Sequence, residues 1–139
     1  MAHPEIARLF GNKQFELVKF VGRTEEAPGA YCYVYNIEGD NNKDLGIIVM
    51  EPGAKTPLQK VLRGDRTIEG LVAGKGTLII TRVGGEIIEY HLDEERIPFS
   101  VEVKVGELMQ WQAAPNSRLV AFEIYYPPYQ EDRFENLPG

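Results

Sequence analysis

Glu123 stands alone as an acid in the run Leu119-Val120-Ala121-Phe122-Glu123-Ile124-Tyr125. A carboxylate set in so apolar a strand needs a partner if it is buried, because an unpaired buried charge is costly. Arg63, Arg66 and Gln112 are the side chains expected to serve. A desolvated acid of this kind would hold its proton to higher pH and would suit general acid–base work. The same placement also suits an ion pair that neutralises charge at a barrel mouth, or a solvent-facing side chain. The single cysteine, Cys32, sits in Ala30-Tyr31-Cys32-Tyr33-Val34-Tyr35 and reads as a small buried thiol. No histidine follows nearby to act as its base. The histidines are His3 and His91 alone.

The elements that must position these residues are short strands. Phe15–Val21, Tyr31–Ile37, Leu45–Met50, Thr67–Ala73, Gly76–Val83, Glu86–Leu92, Phe99–Val105, Glu107–Gln112 and Arg118–Tyr126 all carry strand patterns. Leu45–Met50 is apolar throughout, as in a strand buried on both faces. Tyr31, Tyr33 and Tyr35 share one face of their strand, with Cys32 and Val34 on the other. That tyrosine row fits a subunit interface, and also a sugar-stacking platform or a half-buried sheet face. Gly84-Gly85 predicts a hairpin turn, Gly39-Asp40-Asn41-Asn42 another turn, and Asp93–Arg96 a solvated loop. The spacing predicts a helix over Pro4–Phe10 closed by Gly11, within an arm covering residues 1–12. Pro127-Pro128 ends the last strand, and residues 127–139 read as an extended arm with aromatic anchors Tyr129 and Phe134. Strand following strand, with no helix between, excludes a parallel α/β sheet and points to an all-β sandwich or barrel.

The chain of 139 residues suffices for one core and is expected to form one domain. Hydrophobic residues make up 43% and charged residues 26%, while 14 Gly and nine Pro suit many turns. The net charge of −6, from 21 acids and 15 bases, opposes binding to nucleic acid. No run of about 18 apolar residues is present, and no basic start leads into an apolar segment, so a cytoplasmic protein without a membrane partner is expected.

Gly70-Leu71-Val72-Ala73-Gly74-Lys75-Gly76-Thr77-Leu78 resembles the end of the first cupin motif, and Glu51-Pro52-Gly53-Ala54-Lys55-Thr56-Pro57 resembles its proline-glycine entry. Val105-Gly106-Glu107-Leu108-Met109-Gln110-Trp111 resembles the second motif, and the strand ending in Tyr126-Pro127-Pro128 the C-terminal cupin strand. The resemblance spans roughly Leu45 to Pro128. It implies a cupin-type double-stranded β-helix, a jelly-roll barrel, and a homodimer. In the family these motifs carry an H-x-H pair, a Glu and a third His. Here the Glu position falls at Thr67 and the third His at Ser117, beside Asn116. The pair falls at Lys60 and Leu62, or at Val61 and Arg63. None of these makes a ligand set for Zn, Fe or Mn, and neither His3 nor His91 maps to a motif. No metal and no cofactor are expected.

If Thr67 points inward, Glu69 and Leu71 share its face. Glu69 is then the candidate catalytic carboxylate. Lys60, Arg63, Thr67, Glu69, Trp111, Ser117, Glu123 and Tyr125 form the candidate ligand site, with Trp111 or Tyr125 stacking on the ligand. The expected function is metal-independent binding of a small polar organic molecule, a sugar or organic acid. One alternative is a sugar epimerase or isomerase; the epimerases of this fold use a His base, so Glu69 or Tyr125 would have to substitute. Others are a metal-dependent dioxygenase, which would need Glu69, Glu123 and His3 of the partner subunit in an unusual arrangement, and an interaction module without a ligand.

Overall fold

A computed structural model describes residues 18–37, 43–61, 66–126 and 134–137. The helix expected over Pro4–Phe10 lies outside the described residues, as do Arg63 and Tyr129. Among the described residues eleven strands run in chain order: β1 (Val18–Ala27), β2 (Ala30–Ile37), β3 (Asp44–Met50), β4 (Leu58–Val61), β5 (Arg66–Gly74), β6 (Gly76–Thr81), β7 (Ile87–Leu92), β8 (Ser100–Lys104), β9 (Leu108–Ala113), β10 (Leu119–Tyr126) and β11 (Phe134–Leu137). They form a six-stranded sheet in the order β1-β2-β3-β10-β5-β8 and a five-stranded sheet in the order β11-β4-β9-β6-β7. All the pairings are antiparallel. The chain is therefore the all-β fold that its strand patterning predicts, in the jelly-roll form that the cupin resemblance implies.

Period-two patterning decides what each strand buries. Cys32, Ile48, Leu71, Val103, Ala121 and Leu119 from the larger sheet meet Val61, Leu78, Ile80, Met109 and Trp111 from the smaller one, forming the core between the sheets. The alternate residues Tyr35, Leu45, Ile47, Val72, Val120 and Phe122 form a second buried apolar cluster on the other face of the larger sheet. β3 is accordingly buried on both faces, as its unbroken apolar run requires.

Two strands differ from the sequence pattern. β1 runs on to Ala27, where Arg23, Thr24, Glu25 and Glu26 read as a turn. It is the edge of its sheet, so one face can carry polar groups without cost. β4 is four residues long and follows Pro57, too short to show a period. In the C-terminal arm, residues 134–137 pair with β4 as an edge strand. The Asp93–Arg96 charge run is a capped 3-10 turn: Asp93 accepts from Glu95 N–H, and Glu94 accepts from Gly74 N–H at 3.0 Å. Gly74 has φ +86°, and a Cβ there would collide with the Arg118 carbonyl, so only glycine turns the chain at this point.

Candidate functional site

The site forms on the inner face of the larger sheet, where β5 and β10 lie side by side. In their register Glu69 is directly opposite Glu123, and Thr67 is directly opposite Tyr125. Directly opposed side chains on one face have Cβ atoms about 5 Å apart, and like charges so placed repel. Glu123 also pairs with Gly46 on β3, and Tyr125 pairs with Asp44. Gly46 has no side chain, and the Tyr125 ring lies over it: a Cβ there would meet Tyr125 Oη at 2.5 Å. That bare position lets the tyrosine lie flat across the sheet and turn back to Glu123.

Tyr125 Oη donates a hydrogen bond to Glu123 Oε2 at 2.5 Å. Cys32 Sγ lies 3.6 Å from the same hydroxyl. Since the tyrosine proton is committed to Glu123, the thiol is the donor in that contact. Across the sandwich, Trp111 of β9 donates its indole N–H to Glu69 Oε1 at 2.9 Å. Thr67 and Glu69 are fully enclosed, and Trp111 and Tyr125 are each 1% exposed. Glu69 Oε2 and Thr67 Oγ1 have no hydrogen-bond partner among the described residues.

The electrostatics follow from burial and from one recurring charge. Burial pushes Glu69 well above the usual carboxylate range; the Glu123 charge and contact with its carboxyl add to this, while the Trp111 N–H and Thr67 oppose it. Thr67 acts here by proximity, since its hydroxyl lacks bonding geometry to Glu69. Glu69 therefore keeps its proton more tightly than an ordinary carboxyl does. Burial, then Glu123, pushes up the Cys32 thiol, leaving it inert as a nucleophile. Burial also raises Tyr125, with Cys32 and Glu123 contributing. On β1, Glu26 is raised to about 7 by burial and by the Glu123 charge.

The structure thus brings Thr67, Glu69, Trp111, Glu123 and Tyr125 together. Lys60 is not among them: its neighbours Gln59 and Val61 point inward, so Lys60 projects from the outer face and is half-buried there. Ser117 lies in a turn and donates to the Arg118 carbonyl. Arg66, considered as a partner for Glu123, lies 3.3 Å from Glu102 and over the Tyr126 ring. Trp111 serves Glu69 through its N–H, a role other than the stacking expected. Of the tyrosine row, Tyr35 is enclosed in the outer cluster, while the Arg23 guanidinium lies 4.3 Å from the Tyr31 ring centre. Sequence reasoning missed Glu26 and Gly46. Glu26 lies in a stretch with the polar pattern of a turn, and only the pairing register reveals what Gly46 leaves bare.

Among the described residues no group of three or more His, Cys, Asp or Glu is arranged to hold a metal. His91 lies on the exposed face of β7 beside Thr77, at 3.3 Å. No described helix is long and apolar enough to cross a membrane.

No family model matches the chain, and no curated protein is significantly similar in sequence. Solved structures are similar in fold. The capsular polysaccharide assembling protein CapF from Staphylococcus aureus superposes with TM-score 0.66 and 13% identity, over 88% of this chain and 33% of that one. Oxalate decarboxylase from Bacillus subtilis gives TM-score 0.69 and 15% identity, over 89% of this chain and 31% of that one. Streptomyces PAC13 with uridine gives 0.59 and 11%, over 88% and 87%. The chain spans about a third of the length of the first two.

Proposed function

The chain has the cupin fold, and on that premise we propose that it binds a small, uncharged, polar organic molecule between its sheets without a metal. The observation that carries this reading is the pair of orphaned oxygens, Glu69 Oε2 and Thr67 Oγ1, in a fully enclosed site. Buried polar atoms in folded proteins almost always have partners, so two on neighbouring inward positions of one strand are what a ligand would satisfy. The protonated Glu69 offers a donor, and Thr67 offers both a donor and an acceptor. A hydroxyl-bearing ligand such as a sugar meets both. An organic acid is less well matched, since the charges acting on Glu69, Cys32, Tyr125 and Glu26 are themselves acidic.

A second reading follows from the environments of the facing carboxyls. Glu69 holds its proton more tightly than an ordinary carboxyl, and the Glu123 charge acts on it and on Glu26, Cys32 and Tyr125. Two acids set apart in this way are the arrangement that lets one donate and the other accept a proton. An isomerase or epimerase would use Glu69 as acid and Glu123 as base.

The chain has a single tryptophan, so its indole N–H gives one isolated NMR resonance beside Glu69. Sugars, nucleosides and sugar acids titrated into chelator-treated protein are expected to shift that resonance when neutral. Glu69→Gln should weaken the response and Thr67→Val should abolish it. A response that appears only after adding a transition metal would overturn the proposal.

A further inference from the structure

The outer face of the larger sheet carries a second group of side chains, on the opposite side from the enclosed carboxyls. In the β1–β2 register Arg23 is directly opposite Tyr33, and Tyr31 is its diagonal neighbour. The Arg23 guanidinium lies 4.3 Å from the centre of the Tyr31 ring and 5.9 Å from that of Tyr33, so it spans the two rings. On the next strands Tyr31 is opposite Val49, and Val49 is opposite Val120. Arg23, Tyr31, Tyr33, Val49, Glu51 and Arg118 are among the residues that line a cleft of about 470 Å³ here.

The charges in this cleft suit an anion. Arg23 is exposed and makes ring contacts, but among the described residues it has no ion pair. A guanidinium stacked on a ring still presents its N–H fork in its own plane, and stacking fixes the direction of that fork. A second guanidinium, Arg118, borders the same cleft in a chain whose net charge is −6. The bordering acid, Glu51, is seated against Gly29, where a Cβ would lie 2.7 Å from Glu51 Oε2. Half-buried Val49 supplies an apolar floor, and the tyrosine rings a flat wall.

We propose that this outer cleft binds a small planar organic anion, its carboxylate or phosphate held by the Arg23 fork and its flat body resting on Val49 beside Tyr31 and Tyr33. A fork of this shape matches either head group with two parallel hydrogen bonds. Occupancy here is independent of the ligand between the sheets, because Glu69 and Thr67 lie on the other face of the same sheet.

Phenyl phosphate, benzoate and inorganic phosphate are the probes, titrated at constant ionic strength while the Arg23 Nε–H and Tyr31 ring resonances are followed by NMR. At least one organic anion is expected to shift both saturably and to bind about tenfold more tightly than inorganic phosphate; the tighter of the two identifies the head group. Arg23→Gln should weaken that binding by about tenfold or more, and Arg23→Lys nearly as much, since lysine keeps the charge without the fork. Lys104→Gln, which removes one positive charge from β8 at the far edge of the sheet, should leave it unchanged. The Trp111 indole resonance should stay still throughout. Absence of a saturable shift, inorganic phosphate binding as tightly as the organic anions, or undiminished binding by Arg23→Gln would overturn the proposal. So would an anion that moves Trp111 and leaves Arg23 unmoved, which would place it between the sheets.

Discussion

Replacing Glu26 by glutamine is expected to stabilise the protein by an amount that depends on pH. In the folded state burial and the Glu123 charge lift Glu26 from 4.5 to about 7. Between those values the folded protein keeps a proton that the unfolded chain has released. Stability therefore falls as pH rises through this window, and the full penalty stands above pH 7. Raising a carboxyl's pKa by one corresponds to about 1.36 kcal/mol. The rise from 4.5 to about 7 thus costs on the order of 3 kcal/mol, and water reaching the exposed part of the side chain reduces this towards about 2 kcal/mol. Glutamine keeps the shape and cannot ionise. Urea unfolding of both proteins across this range is the assay. The two curves should nearly coincide at pH 4.5 and separate by on the order of 2 to 3 kcal/mol above pH 7, with Glu26→Gln the more stable. A difference that stays constant with pH, or one in which wild type gains on the variant as pH rises, would refute the reasoning that places Glu26 beside the buried acids.

Other expectations follow from the same geometry. Thr67→Val removes a buried hydroxyl without a partner, so thermal or urea melts of the free protein should show a gain on the order of 1 kcal/mol. Gly46→Ala forces a methyl against Tyr125 Oη and should cost about 1–3 kcal/mol; the cost should shrink in the double variant with Tyr125→Phe, which a double-mutant cycle measures. Trp111→Phe strips the N–H from Glu69 Oε1 and should cost about 1–3 kcal/mol in circular-dichroism melts, beyond the change in volume.

The strands of the core were legible because a sheet with a buried face writes its period into the sequence. β6 shows it, and β3 and β10 show instead the apolar run of strands buried on both faces. The edges were not, for physical reasons. Thr24, Glu25 and Glu26 continue β1 with polar side chains that an edge tolerates, so they look like a turn. β4 is too short to repeat. The site was legible in part. Glu123 stood out as an acid in an apolar run, and alternation placed Glu69 on the face of Thr67. What the sequence could not show is that the two carboxyls face each other, because that depends on a long-range register with a bulge between Val120 and Ala121. The partners expected for them were arginines. The structure instead gives Glu69 an indole from the opposite sheet and Glu123 a tyrosine hydroxyl from its own strand.

The central claim is that Glu69 and Thr67 hold an uncharged polar ligand without a metal. The most direct measurement is the Trp111 indole resonance in chelator-treated protein, titrated in parallel with a neutral sugar and the corresponding sugar acid. The neutral sugar is expected to shift the resonance, and Thr67→Val to remove that shift while the protein remains folded. An unmoved resonance with the sugar, or an equal shift in Thr67→Val, would contradict the claim.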